Sequence, residues 1–211
     1  MIDKAQGYGY RNIGFILDRG YFSKKNLAYM DQNGYSFLIM VKGMKDFIRG
    51  IIEENQGSFE NSRGKYVDRY DVYGTTVKRF LCEGDTKKRN FHIYYSDGKV
   101  YSEKQETKQR IRRLKKYLDS CVGKECVPFG PEIGKYFHLN YEKDGKTLKL
   151  AEENTSAVEK ELSLAGYFAI VSSDNMTARE AIELYKSRDA SEKLFRSDKS
   201  YLGNKSMRVH K

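Results

Sequence analysis

Four residues near the end of the chain, Tyr185, Arg188, Glu192 and Lys199, follow the spacing Y-x2-R-x3-E-x6-K. At ~100° per helical residue, Arg188, Glu192 and Lys199 fall within roughly 60° of Tyr185. One helix face would then present a hydroxyl, a guanidinium, a carboxylate and an ammonium in a line. A carboxylate between cations suits a metal ion held beside a phosphate, with Arg giving forked contacts and Lys a compact charge. Arg188 and Glu192 are also an i,i+4 pair, which supports an exposed helix with no site attached. Asp18 is the second candidate. It precedes Arg19-Gly20 and could simply form a turn. A strand-end carboxylate combined with a later helical one is, however, what a two-metal phosphoryl-transfer site requires, with the ions ~4 Å apart. All-oxygen ligands favour magnesium or manganese.

The surrounding sequence predicts how these groups are carried. Ile13, Phe15, Ile16 and Leu17 form a short apolar run, the pattern of a buried strand, and it stops at Asp18. Ser23 can cap a helix over about 24–32, which Asn33-Gly34 closes. The run 35–41, YSFLIMV, is a second buried strand. A connection of this length makes a βαβ unit with parallel strands, and Asp18 then lies at the carboxyl end of its strand, where open α/β sheets bind ligands. From 42 to 173 the pattern turns mixed and β-rich. It reads as a hairpin around Gly74 within 65–82, a strand at 91–95, a basic helix over 103–119, a hairpin around Asp144-Gly145 and an apolar strand over 165–172. Thr177 and Glu180 form a capping-box pair at the start of a last helix running to about Ser200.

Composition narrows the class of partner. The chain has 211 residues, with 39 Lys and Arg against 29 Asp and Glu, a net charge of +10. Such a balance attracts polyanions, so nucleic acid leads and an acidic membrane surface follows. No run of 18 apolar residues exists, and no secretory signal is evident, which excludes a spanning helix from the expectation. The three cysteines, Cys82, Cys121 and Cys126, form no CxxC pair and read as free thiols of a reducing cytoplasm. The histidines His92, His138 and His210 are scattered and suggest no zinc site. Lys108, Arg110, Arg112, Arg113, Lys115 and Lys116 could line a DNA groove or form a solvated helix face.

The Y-x2-R-x3-E-x6-K spacing resembles the YREK signature of the fourth insertion-sequence family of DDE transposases. LDRGYFSKKNLAYMDQNGYSFLIMVKG at 17–43 is similar to the segment around that family's second catalytic Asp. GYFAIVSSDNMTAREAIELYKSRDASEKLFRSDKSYL at 166–202 is similar to the segment around its catalytic Glu. The resemblance implies an α/β fold with an RNase H-like core at 1–41, a β-rich insertion at 42–173 and a catalytic helix within 174–211. It implies Asp18 and Glu192 as metal-binding catalytic carboxylates, with Mg2+ or Mn2+ as cofactor. Tyr185, Arg188 and Lys199 would contact the transposon end and position its phosphate. The implied reaction is hydrolytic nicking of a phosphodiester, then attack of the freed 3′-OH on another strand. Partners would be terminal inverted repeats and target DNA, with a homodimer for the full-length protein and no membrane. The site of action would be the bacterial cytoplasm, at the nucleoid. Only seventeen residues precede Asp18. The first Asp of the triad and three early core strands are therefore expected to be missing, leaving a C-terminal part of the catalytic domain that is inactive alone. The alternatives are a catalytically inactive DNA-binding or dimerising remnant, and an unrelated basic α/β nuclease, which would leave the Tyr185 and Lys199 spacing unexplained.

Overall fold

The computed structural model describes residues 14–41, 45–81, 85, 87–126 and 128–188. These form two compact units: one takes in the described residues up to Tyr95 and from Phe168 onward, the other Ser96–Tyr167.

The first unit is built on a six-stranded mixed sheet in the order β1-β2-β8-β5-β4-β3. Strand β1 (Gly14–Leu17) runs parallel to β2 (Ser36–Met40), pairing Gly14 with Ser36 and Leu17 with Ile39. The crossover between them is helix α1 (Lys24–Gln32), as the sequence predicts. The Ser23 hydroxyl accepts from the Asn26 N–H at 3.1 Å to cap its start, and Gly34 (φ 68°) follows its end. Leu27 and Met30 supply its buried face. Phe37, Leu38 and Ile39 of β2 are all buried, so both faces of this strand are covered.

Strand β2 pairs antiparallel with β8 (Tyr167–Ser172), Leu38 opposite Ser172. Beyond β8 lie β5 (Lys88–Tyr95), β4 (Val72–Phe80) and the short β3 (Tyr66–Val67). The stretch 42–173, expected as one insertion, therefore supplies four strands of this sheet as well as the whole second unit. Helix α2 (Lys45–Asn55) was not foreseen. It buries Ile51 and Ile52 and sets Phe47 edge-on to Phe91, ring centroids 5.3 Å apart.

The hairpin expected around Gly74 is corrected. Gly74 sits inside β4 opposite Tyr94, and the turn instead occupies 68–71, where Asp71 adopts a left-handed φ of 51°. Gly74 meets a packing demand, since a Cβ there would lie 3.0 Å from the Cβ of Ala178 and from two ring carbons of Tyr94.

Ala178 opens the last helix, α6 (178–188). The capping box is formed in both directions: Thr177 N–H donates to Glu180 Oε2 at 2.7 Å, and Glu180 N–H to Thr177 Oγ1 at 3.2 Å. Ala178, Ala181, Ile182 and Tyr185 recur at helical spacing and pack with Leu38, Val67, Val72, Tyr94 and Ile170. The Tyr94 hydroxyl donates to the Ala178 carbonyl at 2.7 Å, tying the first turn of α6 to the sheet.

The second unit, Ser96–Tyr167, has its own core. Helix α3 (Asp97–Cys121) contains the expected basic helix and is longer at both ends. It packs Ile111 and Leu118 against Ile133 and Tyr136 of α4 (Pro131–Tyr136), Phe137 of β6 (Phe137–Tyr141), Leu148 and Ala151 of β7 (Leu148–Glu153), and Val158 of α5 (Thr155–Ser163). The β6–β7 hairpin turns at Asp144-Gly145 as expected. Gly145 has φ 68°, and the Asp144 carboxylate accepts from Lys146 N–H, Thr147 N–H and the Thr147 hydroxyl.

Candidate catalytic site

Asp18 lies directly after β1, at the carboxyl ends of the parallel pair β1–β2. Its backbone is extended (φ −69°, ψ 156°), and it caps the short 3-10 turn Arg19–Tyr21, accepting from Arg19 N–H on Oδ1 at 2.7 Å. The turn-forming role and the strand-end position therefore coexist in one residue. The side chain stays 61% exposed.

Helix α6 brings a second candidate to the same place. Arg188 Nη1 lies 3.8 Å from Asp18 Oδ1, and the Arg188 side chain is 21% exposed. Its guanidinium sits 5.0 Å from the centroid of the Tyr185 ring, a cation–π geometry. Tyr185 is only 4% exposed and belongs to the core under the helix. Tyr185 thus supports Arg188 from below, and Arg188 faces Asp18. An ion pair this open contributes ~0–1 kcal/mol, so it does not lock the carboxylate. Arg19 N–H and Arg188 Nη1 both approach Oδ1 of the Asp18 carboxylate.

Glu192 and Lys199 lie outside the described residues. Among the described residues no cluster of three or more His, Cys, Asp or Glu is arranged for a metal. Asp18 contributes a hard oxygen donor of the type magnesium and manganese take. Cys121 and Cys126 are free thiols, and among the described residues no helix is long and apolar enough to cross a membrane.

A cleft of about 530 Å³ lies elsewhere, beside the first turn of α6, lined by residues that include Lys65, Thr75, Thr76, Asn175, Thr177 and Arg179. It is about 15 Å along the helix axis from Arg188. Chemistry and cavity do not coincide, and the residues with the right chemistry mark the site.

Sequence reasoning missed one polar feature of the sheet. His92 on β5 is fully buried, with Nδ1 2.9 Å from Thr76 Oγ1 on β4 and Nε2 2.9 Å from Ser172 Oγ on β8. The Ser172 hydroxyl donates to the Asp174 carbonyl at 2.7 Å, so it accepts from His92 Nε2–H, and Nδ1 accepts from Thr76. Burial pushes the His92 pKa down to about 4, so the ring is neutral at pH 7. The only sequence signal was a lone histidine inside the strand pattern FHIYY.

No curated protein and no solved structure matches this sequence. The family model described as the transposase DDE domain matches residues 1–211, the whole chain. With a strand-end aspartate faced by an arginine from the last helix of a mixed α/β unit, that match places the chain in the transposase DDE domain family, whose members cut and join DNA strands using divalent metal ions.

Proposed function

We propose that this chain carries the second and third catalytic carboxylates of an insertion-sequence transposase of the fourth insertion-sequence family. Asp18 and Glu192 would hold divalent cations, Mg2+ or Mn2+. In this reading β1, α1 and β2 are part of an RNase H-like core, with Asp18 at its carboxyl edge. Ions held by Asp18 and Glu192 would activate the attacking oxygen and neutralise charge at the leaving oxygen.

The protein's own residues do the placing. Arg188, braced on the Tyr185 ring, offers a fork to a phosphate oxygen next to Asp18. Lys199, eleven residues after Arg188 in the sequence, would add a point charge. Water attack on the phosphodiester leaves a 3′-OH and a 5′-phosphate. The 3′-OH then attacks a target strand and displaces its 3′ oxygen. The substrates are the terminal inverted repeats and target DNA, and the active form is a homodimer acting at the nucleoid.

The observation that carries the reading is the 3.8 Å approach of Arg188 to Asp18. It brings a residue of the Y-x2-R-x3-E-x6-K pattern to the strand-end aspartate. Glu192, four residues on, then belongs one helical turn further by its spacing. The test is nicking of a duplex bearing the element's own terminal repeat by the complete transposase. Asp18→Asn and Glu192→Gln should each lower the rate by more than about two orders of magnitude while duplex affinity persists. Cleavage retained by either variant would remove that residue from the site.

A further inference from the structure

The second unit carries a charge distribution that the proposed catalytic site leaves unused. Within Ser96–Tyr167 there are fourteen Lys and Arg against twelve Asp and Glu, so the unit is almost balanced. Yet six of those cations fall within nine residues, 108–116, with no acid among them. They sit in the middle of α3.

The structure sorts these six by task, with the exposed Arg113 donating from Nε to the Gln109 carbonyl at 3.4 Å. Arg110 lies 3.6 Å from Glu132 and from Glu161, binding α3 to α4 and α5. Lys115 pairs with Asp119 one turn on. Lys108, Arg112 and Lys116 are exposed and occupy successive i,i+4 positions along one flank of the helix, turning from beside the Ile111–Leu118 stripe toward the side away from it. Along that line they recur about every 6 Å. Tyr101, 75% exposed, continues the face toward the start of the helix. The face is held in place because Ile111 and Leu118 anchor α3 in the unit's core.

We infer that the Lys108–Arg112–Lys116 face of α3 is a docking surface for the phosphate backbone of double-stranded DNA, separate from the cleavage site. A straight row of cations on a rigid helix complements a polymer bearing one charge per ~1.7 Å of its axis. Tyr101 adds a hydroxyl able to donate to a phosphate oxygen. Cations reach phosphates whatever the base sequence, and it is this backbone contribution that the row supplies. The choice of DNA as the polymer rests on the transposase reading above.

The experiment measures the affinity of the 211-residue chain for a mixed-sequence duplex by fluorescence anisotropy. It is run across a range of KCl concentrations with EDTA present. Neutralising Lys108, Arg112 and Lys116 together to Gln should lower the slope of log K against log salt by up to about 2.7, with weaker binding at low salt. If the triple variant fails to fold, the single substitutions serve, each removing about 0.9. A control that neutralises the exposed Lys124, Lys143 and Lys149 of the same unit should leave the slope in place. An unchanged slope in the first set, an equal fall in the control, or binding to anionic phospholipid vesicles in place of duplex would overturn the inference. Because no metal is present, failure here leaves the cleavage site untouched, and failure of Asp18→Asn to block cleavage leaves this surface untouched.

Discussion

Arg188 and Asp18, 170 positions apart in the chain, meet at 3.8 Å at the carboxyl edge of a parallel strand pair. The approach is close enough to orient both groups and open enough to be exchanged. A divalent cation arriving at Asp18 would take over the partnership, and a phosphate would take over Arg188. Replacing Arg188 with Ala should therefore weaken binding of a terminal-repeat duplex by roughly tenfold or more, the scale of a charge-assisted hydrogen bond. Stability should fall by on the order of 1 kcal/mol, because Asp18 is open to water while Arg188 also packs on the Tyr185 ring. Anisotropy with the end duplex, alongside urea denaturation, separates the two; a variant that loses stability but not end affinity would make Arg188 a structural residue only.

Tyr185 allows a finer distinction. Its ring is buried beneath the Arg188 guanidinium, so Tyr185→Phe keeps the brace and removes only the hydroxyl. Tyr185→Leu removes the brace itself. If the ring acts through Arg188, the Phe variant retains end affinity and the Leu variant loses it, with the Leu variant also losing about 1–3 kcal/mol of stability from poorer packing. Equal loss of end affinity in both would point to direct contact by the hydroxyl.

Gly74 should tolerate no side chain. Its added Cβ would press on Ala178 and on the Tyr94 ring at 3.0 Å, and both belong to the buried core. Gly74→Ala should destabilise the first unit by about 1–3 kcal/mol, seen as a lower urea midpoint at unchanged slope. A neutral outcome would mean that the first turn of α6 can slide on the sheet.

His92 makes stability depend on pH. Its folded pKa, about 4, lies below the value of about 6.5 for an exposed imidazole. Below pH 6.5 the unfolded chain takes up a proton that the folded chain refuses. Stability from this residue is therefore fully present above pH 6.5 and is lost as pH falls toward 4, by on the order of 3 kcal/mol in all. Asp85 and Glu161, whose carboxyls are held below their ordinary range chiefly by Arg89 and Lys135, add losses of the same sign at lower pH. The difference between the parent chain and His92→Gln, measured by denaturation from pH 7.5 to 4.5, isolates the histidine. Parallel curves would show that the ring is protonated in the fold.

The β1–α1–β2 unit was legible because each boundary has its own local marker. Ser23 caps, Asn33-Gly34 closes, and the two apolar runs read as strands, although only β2 is buried, while β1, at the end of the described sheet, is exposed at Gly14 and half-buried from Phe15 to Leu17. The capping box at Thr177 and the Asp144-Gly145 turn were equally local. What stayed hidden was long-range. A glycine in a β-rich stretch reads as a turn, and only the approach of Ala178 and Tyr94 reveals why Gly74 is needed inside a strand. Helix α2 carried a usable pattern in Phe47, Ile48, Ile51 and Ile52, obscured by its neighbours' mixed character. Of the candidate site, the sequence named Asp18 and Arg188 without being able to show that they face each other. It also could not show that Tyr185 lies in the core, since a tyrosine on a helical stripe serves either purpose.

The pairing of β2 with β8 sets Leu38 against Ser172, joining stretches that leave the ribosome far apart in time. Loops of that length close late, after local helices and hairpins have formed. A growing polypeptide can thus complete its first crossover and its second unit while the strand that seats the last helix is still being made. On this topology Arg188 comes to face Asp18 only once the residues from Phe168 to Arg188 have been made.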